Sequence, residues 1–99
     1  MRGKFVGKDS LLTHRQREAR ETATKVYTTI RRICEKKKAE GITPARATWR
    51  ELRDEFEDKH FRHLEFLVEQ GVATKVRAIN YDTYEIDYPA WEALVRRLW

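Results

Sequence analysis

The segment KHFRHLEF, residues 59–66, gathers the side chains best suited to chemistry in this chain. Lys59 and Arg62 can hold phosphate oxygens, and the forked Arg62 guanidinium can also reach the two acceptors on a guanine edge. His63 can donate to either. Phe66 is a large apolar group that can touch a thymine methyl, pack against the chain's own wing or arm, or meet a partner protein. His60 and His63 stand three apart, a spacing that can chelate a metal with Glu57 as third ligand. The remaining histidine, His14, is far away in sequence. A boundary His60 and a surface His63 are therefore the favoured reading, and no metal is expected.

Other chemistries lack their parts. Four glycines are present, none in the pattern of a phosphate-cradling loop. Ser10 is the only serine and lies in a polar flank. Cys34 is the only cysteine, so an internal disulfide is excluded and a reducing, cytoplasmic setting is expected. Beside an apolar helix face its thiol reads as a small hydrophobe. The acid pairs Asp54-Glu55 and Glu57-Asp58 fall at a helix junction, where capping explains them. Neither an enzyme nor a cofactor is expected.

The elements that position these residues follow from local signals. Residues 1–9, MRGKFVGKD, hold two glycines and show no periodicity, which predicts a mobile basic arm carrying Arg2, Lys4 and Lys8. From Ser10 a helix is expected, capped by Asp9 or Ser10. Leu12, Ala19, Ala23, Val26, Ile30 and Ile33 share its apolar face, with Tyr27 and Cys34 beside them. Gly41 is its natural stop. At about 30 residues it would run about 45 Å. Either it starts nearer Thr22, or its polar front projects and packs on a second subunit. Lys36, Lys37 and Lys38 suit the negative end of the helix dipole as solvated groups.

Pro44 ends that helix, and Ile42-Thr43 is expected as a very short strand. Thr48 and Glu51 form a capping box for a second helix with Trp49, Leu52 and Phe56 on its apolar face. Asp58 is expected to cap a third helix that Gly71 ends. On it Phe61, Leu64, Leu67 and Val68 face the core with His60 at their edge. Lys59, Arg62, His63, Phe66, Glu69 and Gln70 face away. Residues 72–79 and 83–88 read as strands joined at Asn80-Tyr81-Asp82, with Tyr84, Ile86 and Tyr88 on a buried face. Pro89 opens a last helix with Trp91, Leu94, Val95 and Leu98 at helical spacing. It is expected to pack on the first helix or cross to a twin subunit.

This order, with TWRELRDEF, a short break, DKHFRHLEFLVEQGV and then a hairpin, resembles a winged-helix (winged helix-turn-helix) domain. The spacing of Leu64, Leu67, Val68, Glu69, Gln70, Gly71 and Val72 is similar to the end of that family's recognition helix and its entry into the wing. The resemblance covers roughly residues 22–88. It implies an α+β, mostly helical fold: a winged helix-turn-helix with a long N-terminal helix, a two-stranded wing and a short C-terminal helix. Residues 10–99 would form that single domain. The resemblance also implies that the third helix enters the major groove and the wing lies along the backbone. Lys75 and Arg77 share a strand face and would join Asn80 there. Arg46, Arg50 and Arg53 could add phosphate contacts, although their acidic neighbours allow plain surface ion pairs.

Composition sets the partners. The formal charge is +5 over 99 residues, with 37% of residues charged. Residues 1–41 carry 12 Lys and Arg against 5 acids, whereas residues 42–88 carry 7 against 10. The attraction for a polyanion is therefore concentrated at the N-terminal end. Few amides, one methionine and one cysteine fit a thermophilic source. Size and composition resemble small stand-alone archaeal, viral or plasmid regulators. No signal peptide or membrane span is read. Duplex DNA binding by a homodimeric transcription regulator, joined through its first and last helices, is expected. The alternatives are a winged-helix protein–protein module docking through the third-helix face and, behind it, a replication factor.

Overall fold

The computed structural model describes residues 13–99. The first helix, α1 (His14–Ala39), is followed by β1 (Ala47–Thr48), α2 (Trp49–Arg53), α3 (Asp58–Glu69), β2 (Ala73–Arg77), β3 (Asp82–Ile86) and α4 (Tyr88–Leu98). The expected arm, with Arg2, Lys4 and Lys8, and the expected Asp9 or Ser10 cap lie outside the described residues.

Thr13 caps α1 through a reciprocal pair: the Gln16 N–H donates to Thr13 Oγ1 (3.1 Å) and the Thr13 N–H to Gln16 Oε1 (2.9 Å). The helix has 26 residues. Its first turns are exposed, and its buried face begins at Thr22. The polar front thus belongs to the helix and projects. At the other end Gly41, at φ +80°, lets the Ile42 N–H reach the Lys37 carbonyl (2.9 Å) and the Gly41 N–H reach Lys38 (3.0 Å). That left-handed stop satisfies carbonyls that the helix itself leaves open. Gly71, at φ +79°, ends α3 in the same way, with the Val72 N–H on the Leu67 carbonyl (2.9 Å).

The short strand lies later than expected. Ile42 and Thr43 form none, and Ile42 is exposed; β1 is Ala47–Thr48. Fully buried Ala47 pairs with Tyr84 and Thr48 with Thr83, so only partners far along the chain make this a strand. Thr48 also starts α2 through the expected capping box, the Glu51 N–H donating to Thr48 Oγ1 (3.2 Å) and the Thr48 N–H to Glu51 Oε1 (2.8 Å). Lys37 departs from the solvated reading. Its Nζ turns inward and donates to Glu51 Oε1 (2.8 Å) and to the Arg46 carbonyl (2.7 Å), tying the end of α1 to the start of α2.

Glu57, not Asp58, stands at the N-cap of α3. The cap is made by His60, whose Nδ1 accepts the Glu57 N–H (2.9 Å). His60 is buried and its ring lies 5.4 Å from that of Phe56. Burial first, then the Lys59 ammonium, hold its pKa below the ordinary 6.5. Since the folded value lies below the unfolded one, the unfolded chain takes the proton first as pH falls. The contribution of His60 is complete above about pH 6.5 and is lost as pH falls through the folded value. Urea unfolding at pH 7.5 and 5.5 should show a drop in stability that shrinks in His60→Asn, which keeps an acceptor but cannot titrate. An equal drop in both proteins would remove His60 as its cause.

The sheet has the order β1–β3–β2 and is antiparallel throughout. In the hairpin Ala73 pairs with Ile86 and Arg77 with Asp82, and the turn closes with the Ala78 N–H on the Tyr81 carbonyl (2.7 Å). Both strands are shorter than the hydrophobic runs suggested. Tyr84 is buried and Ile86 half-buried, but Tyr88 opens α4 and is exposed beneath the Arg31 guanidinium. Asp87 caps α4, accepting the Ala90 N–H (3.3 Å); the helix begins at Tyr88, one residue before the expected Pro89, which falls second in its first turn. The helix folds back on its own α1. Trp91 stacks on Tyr27 (centroids 4.5 Å apart, planes 6° apart), and Leu94 and Trp99 are buried. The core comprises Val26, Tyr27 and Ile30 of α1, Leu52 of α2, Leu64 and Leu67 of α3, then Val72, Tyr84 and Leu94. Among the described residues no helix is long and apolar enough to cross a membrane.

Candidate nucleic-acid interface

The α3 helix sorts its side chains by its 3.6-residue turn. His60, Leu64 and Leu67 are buried, with Phe61 and Val68 half-buried beside them. The line opposite runs through Asp58, Arg62, Glu65 and Glu69, all exposed. Its N-terminal half presents Arg62 and, at the helix start, Asp58; its C-terminal half presents two carboxylates, one of which, Glu65, lies 3.9 Å from Lys75 Nζ. A phosphate backbone would be drawn to Arg62 and repelled by the carboxylates around it.

Phe66 corrects an expectation. It is half-buried and packs against the core rather than facing away from it, so it does not form a free apolar anchor. Helical spacing leaves it only about a fifth of a turn from the outward line, so its cover comes from packing against the core cluster rather than from its direction on the helix. Lys59 and His63 lie between the outward and buried lines and face the front of α1. They line a cleft of about 370 Å³ with Arg15, Glu18 and Glu21. His63 Nδ1 lies 3.0 Å from the Lys59 carbonyl, the geometry of an imidazole N–H donating within the helix. The His60–His63 pair is thereby divided, one ring capping inward and the other on the surface. Among the described residues no group of three or more His, Cys, Asp or Glu is placed to hold a metal ion.

On the wing, Lys75 faces Glu65, and Arg77 pairs with Asp82 (3.2 Å). Arg46 is engaged with Glu85. The Arg46–Glu85 pair is part-buried, but exposed pairs such as Lys75–Glu65 contribute about 0–1 kcal/mol, so a phosphate can displace the carboxylate at small cost. On α2, Arg50 and Arg53 are exposed. Trp49, expected in the core, keeps 40% of its surface in solvent. One side of its environment is Phe61 (centroids 5.9 Å), and the Arg53 guanidinium sits 5.3 Å from its ring centre. Within the described residues no carboxylate lies within 4.0 Å of Arg50, Arg53, Lys59 or Arg62. Arg50 and Arg53 come from α2 and share a cleft with the wing-tip residues Asn80 and Tyr81, whereas Lys59 and Arg62 come from the first turns of α3.

Sequence reasoning did not place Trp49 and Tyr81 at the surface. Trp49 at the first helical position after a capping threonine, followed by Arg50 and Arg53, is a signal that could have found the first. A tyrosine in a hairpin turn could have found the second. Cys34 is half-buried, with Sγ 3.7 Å from the Tyr84 carbonyl, and burial raises its pKa, so the thiolate is disfavoured. Compared with family models, with curated proteins and with solved structures, the chain matches none.

Proposed function

We propose that the chain is a winged-helix protein that binds duplex DNA and acts as a homodimeric transcription regulator. The observation that carries this reading is the set of four cations, Arg50, Arg53, Lys59 and Arg62, on the α2–α3 pair, none with a carboxylate within 4.0 Å among the described residues, followed in the chain by a two-stranded hairpin. Helix-turn-helix proteins direct the first residues of the second helix at base edges while neighbouring groups hold phosphates. Here Arg62 is the candidate base reader. Arg50, Arg53 and Lys59 are the phosphate holders, with His63, Lys75 and Arg77 at the margins. Glu65 and Glu69 lie on the half of α3 that would leave the groove. Residues 42–88 are net acidic, so strong binding draws on the basic N-terminal segment and on a second subunit. The projecting front of α1 is the surface offered for that pairing.

Those same carboxylates favour a second reading, a protein–protein module docking through the outer face of α3. It is the weaker one, because Phe66, its apolar centre, belongs to the core edge. Fluorescence anisotropy with mixed-sequence duplex DNA separates the two. With roughly 6–10 phosphate contacts, affinity should fall by about 10³–10⁵ between 50 and 200 mM salt. Absence of binding at 50 mM salt would sink the duplex reading.

A further inference from the structure

Between α2 and the tip of the wing lies a cleft of about 530 Å³ walled by Thr48, Trp49, Arg50, Arg53, Asn80 and Tyr81. Its volume suits a small ligand. Its chemistry separates it from its neighbours. Four other clefts, of about 270–440 Å³, each have at least one glutamate in their walls. This one has two arginines, two aromatic rings and no carboxylate. Trp49 is held in place by Phe61 and Arg53, so its exposed part is a fixed wall. Tyr81, 48% exposed, stacks on no other ring among the described residues.

We infer that this cleft binds an unpaired nucleotide of a nucleic-acid strand, the base stacked on the open Tyr81 ring and bounded by the exposed part of Trp49, and its phosphates on Arg50 and Arg53. Within a duplex both faces of every base are covered by neighbours, so an open tyrosine ring finds a stacking partner only where a base is unpaired or extruded. The guanidinium groups supply the charge that tracks the backbone. The Asn80 amide can both donate to and accept from a base edge. Ile79, 91% exposed at the same turn, is an apolar group of the kind that wedges beside an opened base step. An acidic peptide would satisfy the arginines but leave the Tyr81 ring face idle. The inference goes beyond duplex binding and does not depend on it.

The test uses the full chain, a ten-nucleotide oligo-dT, a blunt duplex and poly-L-glutamate at equal charge. Oligo-dT should bind at 50 mM salt and quench tryptophan emission, and the quench should vanish in Trp49→Phe. Tyr81→Ala should weaken oligo-dT binding about five- to hundredfold, the effect of losing one base–aromatic stack. Tyr81→Phe should retain it, and blunt-duplex affinity should be the same in all three proteins. The inference is overturned if oligo-dT fails to bind, if Tyr81→Ala binds it as well as the parent, if the quench survives Trp49→Phe, or if poly-L-glutamate quenches equally. Loss of duplex binding with oligo-dT binding intact would remove the duplex reading alone, and the converse would remove this one alone.

Discussion

Replacing Leu67 by alanine should lower the free energy of unfolding by about 2–5 kcal/mol. Leu67 is fully buried on the inner line of α3 and belongs to the central cluster with Leu64 and Val72. Its carbonyl also accepts the Val72 N–H that closes the helix end at Gly71. Truncation removes burial and leaves a cavity between α1, α3 and the sheet, and both losses add. A domain of this size has only about 5–15 kcal/mol of stability in total, so the variant should lie close to unfolding at physiological temperature. The control is Arg62→Ala, on the exposed line of the same helix, which should stay within about 0.5 kcal/mol of the parent. Urea denaturation followed by far-ultraviolet circular dichroism compares the two. Similar midpoints for both variants would overturn the assignment of faces on α3.

The second large effect concerns charge. A variant with Arg50, Arg53, Lys59 and Arg62 all replaced by alanine should lose roughly a thousandfold in duplex affinity near 100 mM salt. Arg50, Arg53 and Lys59 are the phosphate holders, and each such contact removed takes about 0.9 from the slope of log affinity against log salt, so the slope should fall by about 2.7, with Arg62 adding its loss through the base contact. None of the four is paired with a carboxylate among the described residues, so their removal strands no partner charge. The fold should survive, apart from the stacking of Arg53 on Trp49. Neutralising Glu65 and Glu69 to glutamine should work in the other direction and strengthen binding, because their field still opposes the nearby polyanion and Glu65 competes with it for Lys75. An unchanged slope in the alanine variant would move the interface off α2 and α3, leaving the basic N-terminal segment as the source of attraction.

The features legible in the chain share one property: their signals sit within a few residues of each other. Thr48 and Glu51 make a capping box because the two side chains reach each other's backbone across three residues. Gly41 and Gly71 stop helices because a left-handed residue is needed immediately after the last turn. Pro89 marks the first turn of α4 because its fixed φ suits that turn and no helical N–H is missed there. The inward set Leu64 and Leu67 follows from helical spacing alone. In each case backbone sterics and one or two hydrogen bonds decide the outcome before any distant contact forms.

What the chain did not disclose depends on neighbours far along it. Ala47 and Thr48 became a strand because Tyr84 and Thr83 pair with them; the more β-prone Ile42 had no partner within reach. Lys37 left its place in a basic run because Glu51 and the Arg46 carbonyl meet it from the next element. Phe66 and Trp49 exchanged their expected surroundings, the first drawn to the core edge and the second left at the surface between Arg53 and Phe61. Helical periodicity gives the direction of a side chain about its own axis but not the depth of what covers it. By itself, then, the sequence determined the helices, their stops, the hairpin and the inner face of α3, all set by local sterics and apolar spacing. Only the tertiary structure decided that Arg50, Arg53 and Arg62 stand without a carboxylate beside them among the described residues and that Trp49 and Tyr81 share a cleft. Both depend on how α2 and the wing tip come together across thirty residues of chain.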